Sequence, residues 1–163
     1  MNIKRNIKSL LLFGAVTILP ILKIYSLGLH NIDAQSAYIR IYFWLQFLTP
    51  IIDFGYYWSG IRSKLEGNQL QRRQYEFSIF GFILAASFIY VDFIIALLLI
   101  LATFTAWYNY RLQIFRIDGQ TSNYYKLRLS KISIDFIFLL TLIYFSSVSV
   151  SNLLLLEIFA ILI

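Results

Sequence analysis

Asp53 raises the first chemical question, because it stands inside an apolar run long enough to cross a membrane. The run covers residues 38–60 and ends just before Arg62. A charged side chain near the centre of a membrane helix costs on the order of 3 kcal/mol on insertion scales, and such residues usually face a partner or a pathway. Two hypotheses remain open for Asp53: a structural carboxylate that pairs with a neighbouring helix, or a group that handles a substrate or an ion.

Helical periodicity places other polar side chains on the face of Asp53. At 100° per residue, one direction is shared by a largely polar set: Tyr42, Gln46, Thr49, Asp53, Tyr57 and Gly60. The opposite direction is apolar and aromatic: Trp44, Phe47, Leu48, Ile51 and Trp58. We therefore expect Asp53 to face the protein interior or an aqueous cavity, with the aromatic set facing lipid. Arg62 falls on the other face from Asp53, which favours an interfacial anchor over a salt-bridge partner.

Polar side chains also follow one face of a later apolar segment. Thr105, Asn109, Gln113 and Arg116 are spaced 4, 4 and 3 residues apart, which forms a stripe on a helix. Two alternatives remain open for Thr105 and Asn109: they line an aqueous cavity, or they lie at an interfacial helix end. For Arg116 we favour the interfacial position.

A fifth apolar segment begins with three charged residues on one face, Arg128, Lys131 and Asp135. The spacing of Lys131 and Asp135 predicts an i, i+4 ion pair. Interfacial positions are favoured for Arg128 and Lys131.

Lys23 lies about four residues before the end of the first apolar segment. Its aliphatic stem is long enough to carry the ammonium group outward to the membrane surface, and this is the favoured hypothesis. The alternative is an inward-facing cation that meets an anionic head group, where a lysine acts as a point charge on phosphate.

The residues of most catalytic sites are missing from the sequence. There is no cysteine and one histidine, His30, so a Ser/His/Asp or Cys/His site has little to draw on. The eight carboxylates are scattered singly, and no Gly-rich phosphate loop occurs. We expect no enzyme activity, no catalytic residue, no metal site and no cofactor.

Composition and apolar run lengths indicate an all-α, polytopic transmembrane helical bundle. The 163 residues are 60% hydrophobic and 13% charged, whereas soluble domains are nearer half apolar and a quarter charged. A membrane-spanning helix needs about 20 apolar residues. The sequence predicts one transmembrane domain over residues 1–163, with a tight turn at residues 91–92. Its five full spans and partial sixth cover residues 9–29, 38–60, 73–91, 93–112, 132–150 and, in part, 153–163.

The distribution of basic residues predicts the orientation. If the spans alternate, twelve of the fourteen Lys and Arg residues fall on one side, leaving Lys23 and Arg40 for the other. Positive charge marks cytoplasmic loops, so we expect a cytoplasmic N-terminus. Topology and membrane lipids then explain the net charge of +6, and no nucleic-acid partner is expected.

Three stretches resemble bacterial polysaccharide flippases: "LGLHNIDAQSAYIRIYFWLQFLTPIIDFGYYWSGIR" (residues 27–62), "AWYNYRLQIFRIDG" and "KLRLSKISIDFIFLL". These proteins belong to the multidrug/oligosaccharidyl-lipid/polysaccharide exporter superfamily and include the O-antigen unit translocases. The resemblance covers most of the chain, with Asp53, Gly55 and Arg62 at the matched motif positions. It implies a flippase of undecaprenyl-pyrophosphate-linked oligosaccharide in the bacterial inner (plasma) membrane, acting in O-antigen and lipopolysaccharide biosynthesis. The candidate substrate and cavity residues are Lys23, Gln46, Thr49, Asp53, Thr105 and Asn109.

One departure from that family is the number of helices. Its members have about twelve to fourteen in two lobes, and this sequence predicts about five and a half, which would leave Glu157 in hydrocarbon. We therefore expect a truncated form, a fragment, or a half-transporter that needs a second half or other polysaccharide assembly machinery as its partner. The alternative function is a small multi-pass membrane scaffold or assembly subunit. A flippase predicts a wide groove along spans one, two and four, whereas a scaffold predicts tight contacts between small residues.

Overall fold

The described part of the chain is entirely helical in a computed structural model. It covers residues 3–52, 67–145 and 148–162, with side chains described for 11–52, 78–116, 118–145 and 148–162. These residues form six α-helices and no strand, which confirms the all-α class for this part of the chain. The helices are α1 Ile3–His30, α2 Ile32–Ile52, α3 Gly67–Phe88, α4 Phe93–Ile117, α5 Thr121–Tyr144 and α6 Val150–Leu162.

Two of the turns between helices are closed by side-chain caps. The Asn31 side-chain oxygen accepts hydrogen bonds from the backbone N–H groups of Asp33 (2.8 Å) and Ala34 (3.3 Å) at the start of α2. Asp92 does the same for Ile94 (2.8 Å) and Ile95 (3.2 Å) at the start of α4. Both caps satisfy backbone donors that have no partner within the helix. The turn between α3 and α4 thus includes residues 91–92, where the sequence placed it.

Helix α4 lies at the centre of the bundle and packs against α2, α3, α5 and α6. Helix α1 packs along α5 and α2. The short α6 contacts α4, α5 and α2, and most of its surface is buried. The core therefore lies around α4 and α6, where the fully buried large side chains include Leu101, Leu139, Leu153 and Leu154.

A bundle with five full membrane spans is not supported by the described helices. Two of them, Leu11–His30 and Phe93–Arg116, are long and apolar enough to cross a membrane, with mean hydropathies of 1.8 and 1.7. Ser78–Phe88 and Val150–Leu162 are apolar but shorter. Charged residues account for α5, which carries Lys126, Arg128, Lys131 and Asp135, whereas the described part of α2 ends at Ile52 and side chains of α3 are described from Ser78.

The two faces that helical periodicity predicts for α2 are found only in part, because Tyr42 of the predicted inward face is 47% exposed and Gln46 is also exposed. Trp44 is 49% exposed and Ile51 is 50% exposed, so both point away from the bundle as expected. Trp58 and Asp53 lie outside the described residues, and the expectation for them stays a prediction. Leu48 was assigned to the outer face, but it is partly buried against the core. The buried face of a helix also includes side chains at its edges, and Leu48 lies at such an edge.

Gly81 marks the closest approach of α3 to α4. A Cβ atom at this position would overlap the Thr103 hydroxyl. Thr103 is 2% exposed and donates a 2.8 Å hydrogen bond to the Leu99 carbonyl, so its short side chain has no room to move away. The packing of α3 on α4 therefore depends on the absence of a side chain at Gly81.

We expect Gly81→Ala to lower the melting temperature of the purified protein in detergent, because the new methyl group separates α3 from α4 at a cost of about 1–3 kcal/mol. Gly14→Ala is the matched control, since a Cβ there meets nothing within 4 Å. Adding Thr103→Ala to Gly81→Ala should restore part of the loss. Equal melting temperatures for the two glycine variants would contradict this account.

Candidate functional site: a buried ion cluster beside a central cavity

A cavity of about 500 Å³ lies between helices of the bundle. We call it the central cavity. It is bordered by side chains from α1, α2, α4, α5 and α6, and its lining is a mixture of tyrosine, amide, hydroxyl, charged and aliphatic groups. The volume falls within the range of about 300–1,000 Å³ that is usual for small-molecule sites.

The central cavity brings together most of the candidate site residues from the sequence. Lys23 lies on its α1 side, Gln46 and Thr49 on its α2 side, and Thr105 and Asn109 on its α4 side. For Thr105 and Asn109, this location agrees with the cavity alternative. Their contact with a substrate stays a prediction. The other candidate positions, Asp53, Gly55 and Arg62, lie outside the described residues.

Four charged side chains form a buried ion cluster at this cavity: Lys23, Lys131, Asp135 and Glu157. The Lys23 ammonium lies 2.5 Å from Asp135 Oδ2 and 2.6 Å from Glu157 Oε1. The Lys131 ammonium lies 2.9 Å from Glu157 Oε2. Two cations therefore face two carboxylates, and the ion cluster is neutral when all four groups are charged.

Tyr38 adds a neutral donor to the ion cluster from α2. Its hydroxyl donates a 2.7 Å hydrogen bond to Glu157 Oε1, and the Lys23 ammonium lies 4.3 Å from the centre of its ring. The site thus joins α1, α2, α5 and α6 through the single carboxylate of Glu157. Removing such charges from water is costly, and close pairing with hydrogen bonds offsets the cost.

Three expectations about these charges are wrong. Lys23 does not extend to the membrane surface, because only 2% of it is exposed and its ammonium is bound by two carboxylates. Lys131 pairs with Glu157 rather than with Asp135, and its side chain is partly buried, with 17% exposed. Glu157 is not left in hydrocarbon, since it accepts hydrogen bonds from Lys23, Lys131 and Tyr38.

One signal in the sequence could have indicated this arrangement. Lys23, Asp135 and Glu157 are isolated charges in apolar segments, and isolated charges in such segments need partners on other helices. The i, i+4 rule favours a local pair instead, and that choice was wrong because α6 offers Lys131 a closer carboxylate.

The two carboxylates of the ion cluster differ in how fully they are satisfied. Both oxygens of Glu157 accept hydrogen bonds, whereas Asp135 Oδ1 is buried without a donor from the described protein. The buried Thr49 hydroxyl, also in the cavity lining, likewise has no partner among the described groups. Two residues of the cavity lining therefore each carry a buried polar atom without a hydrogen-bond partner among the described groups.

The ion cluster lies nearer to one end of the bundle than to the other. Lys23 and Glu157 are each about two turns, or roughly 10 Å, from the end where α1 meets α2 and where α6 begins. Arg128 also lines the cavity, about two turns from the opposite end, where α4 meets α5. The central cavity thus extends along α5 from the ion cluster toward Arg128.

Within the described ranges, no group of three or more His, Cys, Asp or Glu side chains could hold a metal ion. No family model matches this chain, and neither the curated proteins nor the solved structures include a significant match to it.

We expect Lys23→Met to reduce the free energy of unfolding by about 3–5 kcal/mol, because it leaves two buried carboxylates facing one lysine. Adding Asp135→Leu should recover much of that loss, since Lys131 and Glu157 then remain as a neutral pair. Lys126→Met is the control, because Lys126 is exposed on the same helix as Lys131. Thermal or denaturant unfolding in detergent provides the measurement. Additive losses in the double variant would show that Lys23 and Asp135 are not coupled.

Proposed function

We propose that this chain is a membrane transport protein that translocates a pyrophosphate-linked oligosaccharide lipid across the bacterial inner membrane. The central cavity is the observation on which the proposal rests, because a polar space of about 500 Å³ within an apolar helical bundle has the character of a solute pathway. It borders α1, α2 and α4, three helices where the transport hypothesis predicted a groove.

The outer surface supports a location within a membrane. Large apolar side chains that face outward occur on every helix of the bundle with described side chains, including Leu11 at 68% exposure, Phe43 at 69% and Ile83 at 64%. Contiguous apolar surface of this kind is rare on soluble monomers, and a lipid environment satisfies it. Two helices also have the length and apolarity needed to cross a bilayer.

The cavity lining suits a carbohydrate that carries a phosphate. Gln46 and Asn109 offer amide donors and acceptors for sugar hydroxyl groups. The rings of Tyr42, Tyr108 and Tyr124 offer flat apolar surfaces with a polar end, which suits the mixed surface of a sugar ring. This combination is what an amphipathic glycolipid head group requires.

A second half-transporter is the proposed partner. Tyr42 and Gln46 line the central cavity and are also exposed at the surface of α2. The cavity is therefore open on this side, where a second lobe would complete the pathway. Other polysaccharide assembly proteins would contact the same complex.

The proposed orientation places the N-terminus and the α4–α5 turn in the cytoplasm. The chain has no cysteine, so single substitutions test this directly. His30 and Ser122 are exposed near opposite ends of the bundle. We expect an impermeant thiol reagent to label His30→Cys in intact spheroplasts and to label Ser122→Cys after permeabilisation. Labelling of both variants in intact spheroplasts would contradict the topology.

Transport is tested by complementing a strain that lacks its O-unit flippase, with surface polysaccharide as the readout. The gene that encodes this chain, in its full reading frame, should restore the polysaccharide. Thr105→Trp should abolish the restoration, because the indole fills the central cavity. Ile114→Trp is the matched control on the same helix, since Ile114 is 40% exposed and is not part of the cavity lining.

The two outcomes separate transport from the scaffold alternative. A scaffold subunit should tolerate Thr105→Trp as well as Ile114→Trp, provided that both proteins reach the membrane in wild-type amounts. Loss of surface polysaccharide in Thr105→Trp alone supports the transport pathway. Equal activity of the two variants, or no restoration by the unaltered gene, contradicts the proposal.

A further inference from the structure

Among the residues that the structure describes, three cations line the central cavity, and two of them are already paired with carboxylates. Lys23 is bound by Asp135 and Glu157, and Lys131 is bound by Glu157. A further anion at Lys23 would compete with two buried carboxylates, and one at Lys131 would compete with Glu157. Lys23, for which the sequence left an anionic head group as the alternative partner, is therefore poorly suited to that role.

Arg128 is the third cation of the cavity lining, and its surroundings differ. Within the described ranges, no carboxylate lies within ion-pair distance of its guanidinium group. One of its terminal nitrogens donates a 3.2 Å hydrogen bond to the Tyr124 hydroxyl. That bond occupies one of five N–H donors and leaves the others free to bind an anion.

A second guanidinium group strengthens the positive charge at this place. Arg116 lies 5.6 Å from the centre of the Tyr124 ring, and Arg128 lies 5.9 Å from it. Two positive groups thus share one tyrosine ring near the α4–α5 end of the cavity. A second cation beside the same ring raises the local positive potential, which favours an anion near Arg128.

We propose that Arg128 forms a phosphate-binding site of the central cavity, with Tyr124 orienting its guanidinium group. The guanidinium fork matches two phosphate oxygens at once, which a lysine ammonium does not. The site lies about two turns, or roughly 10 Å, from the α4–α5 end of the bundle.

The phosphate belongs either to the pyrophosphate of a lipid-linked cargo or to a phospholipid head group. The cargo assignment rests on the proposed function, whereas the phosphate site itself does not. Both sources share the same chemistry, so the experiment includes a probe for each.

The test measures binding by titration calorimetry to purified protein in phospholipid-free detergent. Farnesyl pyrophosphate, phosphatidylglycerol and farnesol are the probes. We expect Arg128→Gln to weaken binding of the phosphate-containing probes by at least about tenfold, the usual effect of losing a charge-assisted hydrogen bond. Arg128→Lys should retain part of the affinity, because it keeps the charge but loses the fork. Farnesol binding should be the same in wild type and Arg128→Gln.

Arg40→Gln is the matched control. Arg40 is an exposed arginine of α2 outside the cavity lining, and it likewise donates to a neutral hydroxyl, that of Ser36. Its affinity for every probe should equal that of the wild type. Melting temperatures of all variants establish that folding is unchanged.

Wild-type affinity for farnesyl pyrophosphate in the Arg128→Gln protein would overturn the proposal. If that variant does not fold, the salt dependence of binding to the wild-type protein gives the answer, because anion binding to a half-buried guanidinium weakens as ionic strength rises, though less than at an exposed one. Binding that is insensitive to salt would equally overturn it.

Stronger binding of farnesyl pyrophosphate than of phosphatidylglycerol assigns the site to the cargo, and the reverse order assigns it to head groups. Arg128-dependent binding without transport would refute the proposed function and leave this site intact.

Discussion

The hydrogen bonds to the Glu157 carboxylate are the interactions on which the arrangement of this bundle most depends. Glu157 lies on α6 and is 3% exposed, and it accepts from Lys23 of α1, Tyr38 of α2 and Lys131 of α5. An unpaired carboxylate at this depth would cost several kcal/mol. Four helices must therefore keep fixed positions relative to one another for the charge to remain both buried and paired. Apolar packing alone does not specify those positions.

The same charge balance determines which parts of the central cavity are available to a ligand. At one end, two lysines and two carboxylates neutralise one another, so the ion cluster attracts a further anion only weakly. At the other end, Arg128 donates only to a neutral hydroxyl among the described residues. The cavity is thus neutral where its helices are held together and positive near the α4–α5 end. The two ends differ in charge because carboxylates pair with the lysines, whereas Arg128 donates to a neutral hydroxyl among the described residues.

Helical periodicity was sufficient to predict the faces of the cavity but not the pairing of its charges. Gln46 and Thr49 on α2, with Thr105 and Asn109 on α4, were assigned to common faces by a local rule, and they line one cavity. The ion pair of Lys23 with Glu157 joins residues 134 positions apart, and no local rule addresses such a distance. Five full spans are not supported by the described helices, since α5 carries four charged residues, two of which, Lys131 and Asp135, belong to the ion cluster.

Asp135 and Glu157 have similar burial but different degrees of satisfaction, and this difference separates their roles. Glu157 has its hydrogen bonds divided between both oxygens, so any change at this carboxylate breaks contacts with several helices. Asp135 is bound through Oδ2 alone, and its buried Oδ1 accepts nothing from the described protein. An unsatisfied buried acceptor costs about 1–3 kcal/mol. Asp135 therefore leaves part of the desolvation cost of the ion cluster uncompensated, while Glu157 maintains the helix contacts that form the cavity.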